Sequence, residues 1–139
     1  MSEPKRPLPN LHDPDTRPFW LATREKVITY QQCNACGTVV FYPRGHCTGC
    51  LDGQLVWKDS AGIGTVYTYS VVRQSYHPFF RGLVPYAVAW VDLDEGPRLI
   101  SNIVGIEDPL RDLSIGMRVR VRWEEHDELS IPLFEPAAS

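Results

Sequence analysis

Four cysteines, Cys33, Cys36, Cys47 and Cys50, fall in two C-x2-C pairs separated by ten residues, and the chain has no others. Two residues between thiols let both sulfurs of a knuckle reach one ion at about 2.3 Å while nearby backbone N–H groups turn toward the thiolates. Gly37, directly after the first pair, and Gly49, inside the second, supply the backbone freedom such turns need. Four thiolates leave no open coordination position, so the spacing predicts a closed, structural Zn2+ site. Iron in a rubredoxin-like site would use the same ligands. A redox pair of the thioredoxin kind wants a single C-x-x-C at a helix start inside a βαβ unit, a context absent here. His46 adjoins Cys47, but with four thiols available it is expected behind the ligands or in solvent. A ribbon of this size buries too little to fold alone, and bound metal would supply on the order of 10 kcal/mol toward its fold. The cysteines therefore read as scaffold and not as nucleophiles.

At 139 residues, 43% of them hydrophobic and 22% charged, the chain suits one compact domain carrying a small module and excludes a large two-domain enzyme. No apolar stretch follows the basic pair in MSEPKRPLPN, and the longest apolar run, residues 84–91, contains Pro85 and is too short to span a bilayer. A cytoplasmic protein is expected, in a reducing compartment that disfavours permanent disulfides. A formal net charge of −3 gives no pull toward phosphate backbones.

Pro4, Pro7, Pro9 and Pro14 make residues 1–14 an extended arm without a core of its own. In DTRPFWLATREK a cap at Asp15 or Thr16 and Pro18 at an early position predict a short helix over 18–26, with Phe19, Trp20 and Thr23 on the face that docks it. After the cysteines the period changes to two. LVWKD leads into strands at 62–74, 86–94, 98–106, 118–126 and 130–136. DEGP at 94–97 makes a hairpin of the second and third. EDPLRDLSIGM forms a long connection from the third to the fourth, which is the order of an OB barrel. The expected fold is thus mainly β. An arm and N-terminal helix span 1–29, a rubredoxin-like four-cysteine zinc ribbon spans 30–54, and a five-stranded OB-fold barrel spans 55–139.

PFW at 18–20, QQCNACG at 31–37, FYPR at 41–44, CTGC at 47–50, GTVYTYSVV at 64–72, PYAVAWVDLDEGPRL at 85–99 and IGMRVRVRW at 115–123 stand in one order. That ordered set resembles the zinc-ribbon plus OB-fold acyl-CoA-associated proteins, long catalogued as a domain of unknown function. The resemblance implies an accessory or scaffold subunit, without catalytic residues of its own, of a thiolase-like, aldolase or hydratase enzyme acting on acyl-CoA thioesters. It also implies contact with the pantetheine arm in some members.

The segment RQSYHPFFRG at 73–82 departs from that pattern. It lies between the first two barrel strands, where an OB fold presents a binding loop, and its aromatic and arginine content suits an interface. Arg73, Tyr76, His77, Phe79, Phe80 and Arg81 are accordingly expected to meet a partner or coenzyme A, the arginines facing its phosphates. The bland alternative has Phe79 and Phe80 capping the barrel mouth. Single-stranded nucleic-acid binding through Tyr67, Tyr69 or Trp90 is a second reading, for which RVRVR at 118–122 is the one basic stretch. Autonomous catalysis has only His77 as an acid/base candidate, with no G-x-S-x-G, H-E-x-x-H or phosphate loop. The acidic runs DLDE at 92–95 and EEHDE at 124–128 read as solvated turns and strand ends.

Overall fold

The computed structural model describes residues 5–51 and 53–137, so the first four residues of the arm lie outside it. The helix α1 (Arg17–Thr23) is followed by β1 (Ile28–Cys33), β2 (Val39–Val40), β3 (Leu55–Ser60), β4 (Ile63–Val72), α2 (Pro78–Arg81), β5 (Tyr86–Leu93), β6 (Arg98–Ile103), β7 (Arg118–Glu125) and β8 (Ser130–Pro136). Strands β2-β1-β3 form one small sheet, and β4-β5-β6-β8-β7 close into a barrel. The architecture is mainly β, with an N-terminal helix, a four-cysteine ribbon and a five-stranded OB barrel. Among the described residues no helix is long and apolar enough to cross a membrane.

Helix α1 is shorter than the pattern predicts, because Lys26 turns to φ 59° and breaks the helical path after Thr23. Its docking face is the expected one. Phe19 is buried and meets Trp20 and Phe41 edge-on, with ring centroids 4.9 and 5.6 Å apart. Thr23, fully buried, donates to the Trp20 carbonyl at 2.5 Å and accepts from the Ser130 amide at 3.1 Å, which ties α1 to β8.

LVWKD, whose position beside the barrel pattern suggests an entry to that lobe, pairs instead along all of β1, from Ile28 opposite Ser60 to Cys33 opposite Leu55. The two-residue β2 covers only part of the other edge of β1, so β3 supplies most of the partners for its amides and carbonyls. A turn at Ala61 and Gly62 then hands the chain to β4. In β4 the period-two pattern changes phase. A β-bulge between Val66 and Thr68 leaves Tyr67 and Thr68 both exposed and turns Tyr69 onto the core, where even alternation would place it outside.

The barrel core is built from Val66, Ala87, Ala89, Val91, Leu93, Leu99, Ile103, Val119 and Phe134, and Phe19 and Ile28 join it from outside the barrel. Fully burying an aliphatic or aromatic side chain of this size contributes about 1.5–3 kcal/mol. The 94–97 hairpin forms as predicted, with the Gly96 amide donating to Leu93 O at 2.9 Å and Gly96 at φ +117°. The long connection is stitched back onto the bulge: the Gly116 amide donates to Val66 O and the Val66 amide to Met117 O, at 2.8 and 3.0 Å. That stitching seats the buried Leu113 as a stopper on the core.

Candidate metal centre and aromatic loop

In the ribbon, one ligand atom from each of Cys33, Cys36, Cys47 and Cys50 lies within 4.8 Å of every other. The sulfurs of Cys33 and Cys50 are 3.7 Å apart and those of Cys36 and Cys47 3.6 Å. An S–S bond would need about 2.05 Å, whereas four thiolates at about 2.3 Å around one tetrahedral ion stand about 3.8 Å apart. The spacing fits an ion and not a pair of disulfides.

The backbone around the sulfurs is arranged for negative charge. The amides of Ala35 and Cys36 point at Cys33 Sγ (3.4 and 3.5 Å), those of Gly49 and Cys50 at Cys47 Sγ (3.2 and 3.5 Å), and that of Gly53 at Cys50 Sγ (3.3 Å). The Thr38 hydroxyl meets Cys36 Sγ at 2.9 Å. The Cys50 amide, above all, brings the Cys47 thiol down to about 6, and the bond to Thr38 lowers Cys36. Such thiols give up their protons readily to a cation.

Space around the cluster is equally restricted. A Cβ at Gly49 would collide with Thr38 Oγ1, and one at Gly53 would collide with Cys33 Sγ and lie 3.3 Å from Cys50 Sγ. Gly37 takes φ +77° after the first knuckle, and Leu51 takes the equivalent left-handed turn, φ +67°, after the second. His46 is exposed. Gly53 and Leu51 carry no signal in spacing alone; they emerge only once the two knuckles face each other.

The aromatic loop stands between β4 and β5 as expected, folded around the single turn α2. His77 caps that turn, its Nδ1 accepting from the Phe79 amide at 3.1 Å. Arg81 closes the loop on itself by donating to the carbonyls of Ser75 and Tyr76 at 3.4 and 3.2 Å. Tyr76 is 82% exposed, and Arg73 is exposed. Phe79 and Phe80 are half-buried, stacked edge-on to each other at 5.1 Å, with Phe80 tilted over Tyr86 at 5.7 Å. The structure brings Arg73, Tyr76 and Arg81 around one shallow pocket together with Val84, and turns the two phenylalanines away toward Arg6.

A more apolar groove, of about 290 Å3, runs between α1, the Phe41–Pro43 segment and strands β6 and β8. It is lined by Phe19, Trp20, Tyr42, Ile100 and Ile131 among others, and no sequence pattern singles it out. On the opposite count, the three arginines of β7 project into solvent as alternation requires, but each has a carboxylate. Arg118 forks onto Asp94 at 2.7 Å, and Arg120 and Arg122 reach Glu135 at 3.0 and 3.6 Å. The acidic run at 92–95 is likewise engaged and not merely solvated: Asp92 pairs with Arg98, whose guanidinium lies 3.5 Å over the Tyr67 ring.

Comparison with known proteins extends these observations. Residues 20–56 match the rubredoxin-like zinc ribbon domain of ChsH2, and residues 57–124 match the C-terminal OB-fold domain of ChsH2. The chain is 41% identical over 123 residues to a probable enoyl-CoA hydratase alpha subunit of Thermomonospora curvata, covering 86% of this chain and 37% of that protein. It is 37% identical over 89 residues to a DUF35 domain-containing scaffold protein of Methanocaldococcus jannaschii, covering 63% of this chain and 61% of that one. The chain thus spans less than two thirds of the length of either relative. Among solved structures, a chain of the Ltp2-ChsH2(DUF35) aldolase superposes with a TM-score of 0.80 at 38% identity, over 96% of this chain and 100% of that one.

Proposed function

Since the chain belongs to the DUF35 family, with the zinc ribbon and OB fold of ChsH2, we propose that it is a non-catalytic accessory subunit of an enzyme acting on acyl-CoA thioesters. The observation that carries this reading is the match over the full length of a chain of the Ltp2-ChsH2(DUF35) aldolase, at 38% identity. The partner is a thiolase-like, aldolase or hydratase subunit; the names of the relatives support the hydratase and the aldolase, and the thiolase-like partner follows from the family resemblance alone. Cys33, Cys36, Cys47 and Cys50 hold one structural Zn2+, which braces the ribbon and leaves no coordination position for a substrate. Arg73, Tyr76, His77, Phe79, Phe80 and Arg81 form part of the docking surface. Arg73 would meet a phosphate of coenzyme A, a reading supported by its exposure beside that shallow pocket.

The chemistry of the chain supports a docking role over turnover. His77 spends Nδ1 on the Phe79 amide as a cap, and the thiols are committed to the cluster. Single-stranded nucleic-acid binding has less support, because the arginines of β7 face carboxylates and Arg98, over Tyr67, faces Asp92. Co-expression with a thiolase-fold or hydratase-fold subunit from the same source tests the reading. Joint purification, and acyl-CoA turnover by the pair but not by this chain alone, are expected. Turnover of CoA thioesters by the isolated chain, or capture of nucleic acid released by salt, would overturn it. Phe79→Ala with Phe80→Ala should weaken capture with the melting transition retained; unfolding of that variant would return both rings to a packing role.

A further inference from the structure

The side chain of Arg6, on the N-terminal arm, is only 10% exposed. Long charged side chains on a proline-rich arm ordinarily stay in water, so its burial calls for a cause. Three groups supply one. The guanidinium carbon lies 4.8 Å from the Phe79 ring centroid and 5.4 Å from that of Phe80. Nε and Nη2 donate to the two oxygens of Glu124 on β7 at 2.5 and 3.1 Å. The Glu124 carboxylate is itself oriented by His126 Nε2, at 2.8 Å from Oε1. Two ring faces and a forked carboxylate are complementary to a planar, delocalised cation and much less so to a compact ammonium.

We propose that Phe79, Phe80 and Glu124 form a guanidinium-binding site that the chain's own arm occupies through Arg6, latching the aromatic loop to the β7–β8 hairpin. The two elements come from segments more than forty residues apart and are joined here by a residue of a third. The latch stands on this geometry alone; only its consequence for docking, that the arm lifts before the rings are engaged, rests on the reading above.

The test uses the full chain and needs no partner. Chymotrypsin at low concentration should cleave after Tyr76, Phe79 and Phe80 roughly tenfold faster in Arg6→Ala than in the parent, with Arg6→Lys between them. Glu124→Gln should raise the same cleavages, and the double variant should add nothing further, as two changes to one contact require. In the proton NMR spectrum of the parent, the Arg6 δ-methylene protons should be shifted upfield by the rings, and Glu124→Gln should return them toward solvent values. Arg6 protons at solvent values in the parent, or cleavage in Arg6→Ala no faster than in the parent, would overturn the latch. So would acceleration spread equally over sites in the barrel strands. Failure to capture an acyl-CoA enzyme would bear on the docking reading and leave these measurements as they are.

Discussion

The Glu95 carboxylate, at the tip of the β5–β6 hairpin, accepts a hydrogen bond from the Ala61 amide at 2.8 Å, across the turn that joins ribbon to barrel. Its other oxygen accepts from the Ser60 hydroxyl at 2.7 Å, and that hydroxyl also accepts from the Gly62 amide at 3.0 Å. One side chain of the barrel thereby fixes the three residues through which the chain leaves the ribbon sheet.

Burial pushes the Glu95 carboxyl up, but the Ala61 and Ser60 hydrogen bonds outweigh it and the net shift is downward. A carboxyl depressed in the folded state contributes stability above its unfolded value of about 4.3 and loses it as pH falls through the folded value. Glu95→Ala should cost about 1 kcal/mol near neutrality, since solvent reaches the freed Ala61 amide. Urea unfolding of parent and variant checks this. The difference between them should shrink below about pH 4.

Thr23 tests the docking of α1. Thr23→Val keeps shape and removes the oxygen that accepts from the Ser130 amide, in a place where both residues are buried. A buried donor left without a partner costs about 1–3 kcal/mol. A lower denaturation midpoint with unchanged slope is expected, whereas Thr23→Ser should recover most of the loss.

The parts of the molecule legible in the sequence are those set by local spacing. The C-x2-C pairs, the DEGP hairpin and the long connection before β7 each follow from residues close in the chain, and each forms as read. What escaped is set by partners distant in sequence. Strand β3 joins the ribbon because β1 needs a neighbour, the phase change at Tyr67 follows from a bulge, and Gly53 matters because Cys33 approaches it from the other knuckle. Glu95 and Asp94 read as solvated turn residues for the same reason: Ala61 and Arg118, which engage them, lie more than twenty residues away.

The arginine row on β7 should be nearly silent. Arg120 and Arg122 are more than half exposed at their side chains and share Glu135. Exposed pairs of this kind contribute about 0–1 kcal/mol. Arg120→Gln with Arg122→Gln should therefore leave the unfolding free energy within about 1 kcal/mol of the parent. A fluorescently labelled oligonucleotide should bind neither protein at moderate salt. Loss of measurable DNA binding in the double variant would revive the nucleic-acid reading.

Gly53 offers the sharpest test of the ribbon, because it separates the geometry of the sulfur cluster from the identity of the thiols. A methyl group at this position would meet Cys33 Sγ and crowd Cys50 Sγ, while leaving all four cysteines in place. Gly45, where an added methyl would meet nothing within 4 Å, serves as the control. Gly53→Ala should lower zinc affinity by at least tenfold in competition with a chromophoric chelator, and Gly45→Ala should not. Stripping the metal from the parent should unfold the ribbon sheet, since ligand binding supplies most of its folding free energy. The barrel has its own core of nine side chains, from Val66 to Phe134, so its amide protection should outlast that of β1 and β3. A ribbon that keeps its protection after chelation, with no bound metal detectable by elemental analysis, would show that the sulfurs pack without an ion.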